Sequence, residues 1–192
     1  MRLTVAVHAT TQSAELIHRE EFEMNHEYFM REALALAEVA LKEGEFPVGS
    51  VLVYNNKILA TGTRKGTTEG FANEVDHAEI MVLRNLAGRK EFNEINRQAI
   101  TLYCTMEPCL MCFGAILLSG IGKIVYAYED VMGGGTGCDI ENLSPLYRNS
   151  LIEIIPGILR NKSLEVFRAY FSNPSNSYWK GSLLAEYTLA QK

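Results

Sequence analysis

No apolar run in this 192-residue chain approaches the ~18–20 residues that cross a bilayer as a helix, so a membrane-spanning helix is excluded. An excess of base is also missing: 18 Lys and Arg stand against 23 Asp and Glu, a net charge of −5. A surface that tracks nucleic-acid phosphates usually gathers Lys and Arg on one face, so the balance argues against such a partner, although a local basic patch can hide inside an acidic total. The acids concentrate early, with Glu15, Glu20, Glu21, Glu23, Glu27, Glu32, Glu38, Glu43 and Glu45 against Arg19, Arg31 and Lys42. Cysteine is scarce, at four residues, and a chain of this length buries a core without disulfide staples. The N-terminus also reads as a poor signal peptide. The apolar stretch Leu3 to Ala9 is short, carries one preceding Arg2 and has no clear cleavage site. A reducing cytoplasm is the expected compartment. What remains is ordinary: 47% hydrophobic and 21% charged residues, the usage of a globular domain rather than a disordered or fibrous chain. The length suits one compact domain.

Residues 1–23 read as an N-terminal extension, 24–171 as the domain and 172–192 as a C-terminal tail. The first strong element is NHEYFMREALALAEVALKEG, with Asn25 as N-cap, Gly44 as stop, and Phe29, Ala33, Leu36 and Ala40 at helical spacing. FPVGSVLVYNNKILATG reads as a hairpin turning at Asn55-Asn56. Thr63 to Asp76 has no period and reads as a loop. A helix HAEIMVLRNLAG, a strand ITLYCT, a helix CLMCFGAILLSG and a strand KIVYAY follow. A Gly-rich loop, Glu129 to Ser144, leads to a strand at LIEIIPG, a helix at SLEVFRAYF and a last helix within SYWKGSLLAEYTLAQK. Strands alternating with helices give an α/β fold, and the opening hairpin makes its sheet mixed.

Chemistry concentrates in two short runs. His77-Ala78-Glu79 and Pro108-Cys109-Leu110-Met111-Cys112 each open a predicted helix. Cys109 and Cys112 share one helix face at i and i+3, near a helix start that favours thiolates. His77 adds a neutral nitrogen. Three ligands of N and S type suit zinc and leave a fourth tetrahedral position for water, as in a catalytic site. Glu79 is placed to carry protons to and from that water. A structural site would recruit a fourth protein ligand; Cys104 is the obvious choice, but it falls in a strand and reads as a small buried hydrophobe. Cys138 reads as a bystander. The Gly133–Gly137 run completes no phosphate-binding motif and reads as a flexible turn at the mouth of the site.

H-x-E with P-C-x-x-C is the signature of zinc nucleobase deaminases. The chain resembles the cytidine and deoxycytidylate deaminase superfamily from about His26 to Phe171. The branch of tRNA adenosine deaminases, guanine deaminases and cytosine deaminases is most similar, on HEYFMREALALA, FPVGSVLV, HAEIMVLRNLA, LYCTMEPCLMCFGAIL and IGKIVYAY. The resemblance implies a cytidine deaminase-like three-layer α/β/α fold with a mixed five-stranded central sheet, in a homodimer. It implies one zinc ion per chain on His77, Cys109 and Cys112, with Glu79 as proton shuttle, and a base bordered by Val48 and the backbone of Ala78. Hydrolytic deamination with release of ammonia is the implied reaction.

Three departures bear on the substrate. Where the tRNA enzymes carry a base-binding Asn soon after the second strand, this chain has Thr63, Arg64, Lys65 and Gly66. Their Lys-Thr-Gly run after the fourth strand is replaced by Val131-Met132-Gly133. In place of a basic tail, Tyr170-Phe171 is followed by SNPSNSYWKGSLLAEYTLAQK. These changes all reduce affinity for an anticodon loop, since phosphate contacts dominate such binding. The expected substrate is therefore a small-molecule nucleobase or nucleoside, with Phe171 touching it and Tyr178 or Trp179 closing over it. A tRNA adenosine deaminase is the alternative, and a catalytically silent zinc-binding partner subunit is a third reading, against which the intact Glu79 argues.

Overall fold

The computed structural model describes residues 25–68, 73–89 and 94–191. The expected extension at 1–23 lies outside them. Helix α1 runs over 25–42. Asn25 already lies inside it, so Asn25 is a helical residue and not the cap. Gly44 ends the segment with φ +78°.

Strands β1 (Gly49–Tyr54) and β2 (Lys57–Thr63) form the expected hairpin. Asn55 and Asn56 both take positive φ, 50° and 57°, the requirement of the two-residue turn that matches strand twist. Helix α2 (Ala78–Ala87) follows, then β3 (Thr101–Met106), α3 (Leu110–Ser119) and β4 (Lys123–Tyr128). The Glu129–Ser144 segment contains a 3-10 turn at Ile140–Asn142, and the short helix α4 (Pro145–Arg148) comes next. Strand β5 (Glu153–Ile155), α5 (Arg160–Ser172) and α6 (Leu183–Ala190) complete the chain.

The five strands form one sheet in the order β2-β1-β3-β4-β5. β1 runs antiparallel to both neighbours, and β3, β4 and β5 run parallel. Alternation along β1 explains the layers. Val51 and Val53 pack with Phe29, Met30 and Ala33 of α1 and with Val166 of α5. Leu52 faces the other way, into a cluster with Val82 and Leu86 of α2 and Phe113 and Ile116 of α3. Helices therefore cover both faces, as the expected three-layer α/β/α fold requires. Among the described residues no helix is long and apolar enough to cross a membrane.

A third cluster sits at the carboxyl end of β3 and β4. It joins Phe46, Val48, Cys104, Met106 and Tyr128 to Leu164, Phe167 and Tyr170 of α5 and Leu184 of α6. The C-terminal segment is thus packed into the core. Arg160 clamps Glu129 through Nε at 2.8 Å and again through Nη2, and Tyr187 Oη donates to the same carboxylate at 2.6 Å. Tyr128 Oη and Thr188 Oγ1 meet at 3.1 Å. These bonds hold α6 against the end of β4.

Candidate active site

Because β2 runs parallel to β3, the loops that leave both strands emerge at one edge of the sheet. That edge receives the N-termini of α2 and α3. His77 is the cap residue of α2 and Cys109 that of α3, both with extended backbone. Cys112 lies in the first turn of α3. The ligating atoms of His77, Cys109 and Cys112 all fall within 4.8 Å of one another, with His77 Nδ1 and Cys109 Sγ at 3.6 Å. One nitrogen and two sulfurs at this separation fit a tetrahedral metal ion with one position left open. Cys112 and then His77 hydrogen-bond the Cys109 sulfur and outweigh its burial, pulling that thiol down to about 4. The thiolate that a metal needs is favoured there before any metal arrives.

Glu79 lies one helix position beyond Ala78, only 3% exposed. Burial raises its carboxyl pKa, against the opposing pull of a backbone N–H and of His77. Behind it stands Cys104, fully buried as expected. Its thiol hydrogen-bonds Glu79 and accepts from Ser50 Oγ at 3.1 Å. Burial, then the Glu79 charge, keeps Cys104 protonated. It is therefore more than a small hydrophobe. No spacing pattern marks it, because β3 brings it to Glu79 from 25 residues away.

The Gly-rich run is pinned rather than flexible. Asp130 Oδ1 accepts from Met132 N and Gly133 N, both at 2.9 Å. Glu107 accepts from Asp130 N at 3.2 Å and from Thr136 N at 3.3 Å. Gly135 N donates to Pro108 O at 2.9 Å, and Cys109 forms an isolated bridge with Gly134. A Cβ on Gly135 would meet Leu110 Cα and N at 2.6 Å, so absence of a side chain lets the loop press on the start of α3. Gly135 serves that close approach, which fixes Cys109.

A cavity opens beside the metal-binding triad. Phe46, Val48, Met106, Tyr178 and Trp179 give it apolar walls. His77, Glu79, Cys109, Arg64, Glu107 and Asp130 supply its polar groups, and Ala78 also lines it. Of the expected contact residues, Val48, Ala78 and Trp179 line it. Phe171 does not: its ring packs edge-on against Phe46 at 6.0 Å, in the layer behind the wall. The direction of α5 turns Tyr170 into the core and leaves Phe171 backing Phe46. The free space in the cavity is about 30 Å³, room for little more than a water.

Tyr178 and Trp179 stack at 5.0 Å and 14° and lie 5.5 and 5.6 Å from Phe46. Trp179 is held at φ +58°, a conformation that costs a bulky residue energy and needs neighbours to impose it. Tyr178 Oη donates to Glu74 at 2.7 Å and accepts from Arg64 Nη2 at 3.2 Å. Arg64 follows β2 directly. Sequence reasoning placed it where a base-binding Asn stands in similar enzymes, but did not place it in the cavity wall.

Comparison with known proteins agrees with this geometry. The family profile of the cytidine and deoxycytidylate deaminase zinc-binding region matches residues 23–128. A tRNA-specific adenosine deaminase of Bacillus subtilis (strain 168) is 34% identical over 145 residues, 76% of this chain and 88% of that protein. A solved tRNA:A34 deaminase, which edits A to I at the wobble position of transfer RNA, superposes with TM-score 0.60 at 29% identity, covering 72% of this chain and 98% of the other. The guanine deaminase of Nitrosomonas europaea superposes with TM-score 0.58 at 22% identity, over 75% of this chain and 83% of the other. That last likeness is one of fold.

Proposed function

This chain belongs to the cytidine and deoxycytidylate deaminase family, and on that premise we propose that it hydrolyses the amino group of a free nucleobase or nucleoside to an oxo group, releasing ammonia. A zinc ion held by His77, Cys109 and Cys112 supplies Lewis acidity at neutral pH. Glu79 does the proton work: its carboxylate takes a proton from the attacking water and delivers it to the ring nitrogen, then takes the remaining proton from the hydroxyl on the attacked carbon and hands it to the departing amine, so that the C–N bond breaks as the C=O bond forms. The site suits that task because Glu79 is buried beside the ligands and backed by the Cys104 thiol. Val48, Met106 and Phe46 offer apolar faces to a flat ring.

The observation that carries the small-molecule reading is the Tyr178–Trp179 pair in the cavity wall. With these rings in place the cavity holds little more than a water, so a base enters as the tail shifts, and the rings re-close over a ring of small size. Met132 in place of Lys, and a tail poor in base, support the same reading. The homodimer is part of it: Leu110, Met111 and Leu118 form an exposed apolar face of α3 of the kind that partners cover.

Ammonia release from adenine, guanine, cytosine and their nucleosides, each compared with transfer RNA, tests the proposal. Turnover of one or more free compounds is expected. The B. subtilis relative favours the second reading, wobble-adenosine deamination, and turnover of transfer RNA alone would replace the first with it. Zinc content without ammonia from any of these would point to the silent partner subunit.

A further inference from the structure

We propose that Arg64 reads the substrate, donating from its unspent Nη1 to a ring carbonyl oxygen and so selecting oxo-bearing amino heterocycles over those without the oxygen. This rests on the deaminase reading above and names the substrate class within it.

Arg64 is only 2% exposed and lines the cavity beside His77 and Glu79. Its Nη2 is committed to Tyr178 Oη at 3.2 Å and Glu74 at 3.4 Å. Its Nη1 is buried without a hydrogen-bond partner, the one such side-chain atom among the described residues. A guanidinium offers five N–H groups and no acceptor, and leaving a buried charged donor unmet is costly. An acceptor brought into the cavity relieves that cost.

The surrounding charges narrow what the acceptor is. Glu79, Glu107 and Asp130 line the same cavity, and Glu74 stands at 3.4 Å from the guanidinium. A phosphate or carboxylate would meet these carboxylates as well as Arg64, so like-charge repulsion works against it. A neutral carbonyl accepts the same hydrogen bond without that repulsion. Adenine has ring nitrogens but no carbonyl, whereas guanine and cytosine each carry one. The hydroxyl of Tyr178 ties the reading group to the aromatic wall, so an occupant that holds Arg64 also steadies the residues that cover it.

Matched pairs isolate the oxygen. Cytosine and 4-aminopyrimidine differ in one carbonyl, as do guanine and 2-aminopurine. For the zinc-loaded protein, Kd by calorimetry and kcat/KM by ammonia release are measured on both pairs. At least one pair should favour the oxo member by ~10-fold or more, the lower end for a hydrogen bond to a charged group. Arg64→Met should bring that preference to within about threefold by weakening the oxo member alone. Arg64→Gln, which keeps a shorter donor, should fall between and serves if the Met variant loses its fold or its zinc. Equal treatment of both members by the unmodified protein, or an undiminished preference in both variants, would overturn the assignment. The two failures separate: absence of turnover on every free compound removes the proposed function, whereas the pair preference in Kd decides Arg64.

Discussion

A methyl group at Gly135 should cost this protein its metal without touching a ligand. The Cβ of Gly135→Ala would lie 2.6 Å from Leu110 Cα and N and 2.7 Å from the Cys109 carbonyl carbon. Ordinary contact begins at 3.4 Å, so loop or helix start must yield by about 0.8 Å. All three atoms are backbone, and no side-chain rotation relieves them. Cys109 caps that helix, and zinc–sulfur distances tolerate only about 0.2 Å. A shift shared between loop and helix therefore displaces the sulfur beyond what the metal accepts. Overpacking of this kind costs about 1–3 kcal/mol, which for a domain of this size lowers Tm by roughly 3–10 °C. Zinc affinity, measured by competition with a chromogenic chelator, should fall about 10- to 100-fold, as for other losses of ligand orientation. Gly137→Ala is the control, since its Cβ meets nothing within 4 Å. If Gly135→Ala keeps its zinc affinity within about twofold of the control, the buttressing argument fails.

Other consequences can be read as directly. Glu79→Gln should retain one zinc per chain by metal analysis while ammonia release falls by at least ~100-fold, the contribution of a positioned general acid–base. Trp179→Ala should raise KM for a free base more than it lowers kcat, because a wall is lost and the proton carrier is not. Burial opposes the Glu129 charge, but hydrogen bonds from Arg160 and Tyr187 outweigh it and hold the carboxyl below its ordinary 4.5. A depressed folded pKa gives stability that is present above 4.5 and lost as pH falls through the folded value. The Tm advantage of the unmodified protein over Glu129→Gln should therefore shrink on acidification below about 4.5, and an advantage that persists unchanged at pH 3 would contradict the clamp.

Local chemistry in the sequence reaches far into this structure. The hairpin was legible because Asn55-Asn56 is one of few pairs that accept two positive φ values. The metal triad was legible because helix caps place i and i+3 sulfurs together, and His77 repeats the same strand-loop-helix entry. What stayed hidden depends on pairing distant segments. Cys104 looked like packing until β3 set it behind Glu79. The glycines after Asp130 read as slack, although Gly135 is pressed against the start of α3. Arg64 and Tyr178 are separated by 114 residues, and no periodicity announces that they share a proton network. Phe171, expected at the substrate, backs Phe46 instead of lining the cavity, since the rotation of α5 is set by how Phe167 and Tyr170 pack rather than by composition.

The wall formed by Tyr178 and Trp179 also orders events during synthesis. The last ligand, Cys112, precedes Trp179 by 67 residues, about 3 to 13 seconds of elongation at ~5–20 residues per second. The two sulfurs and the imidazole are therefore made before the aromatic pair that walls the cavity. A metal ion arriving in that interval would meet no aromatic wall, and the cavity is complete only once the carboxyl-terminal segment packs on Phe46.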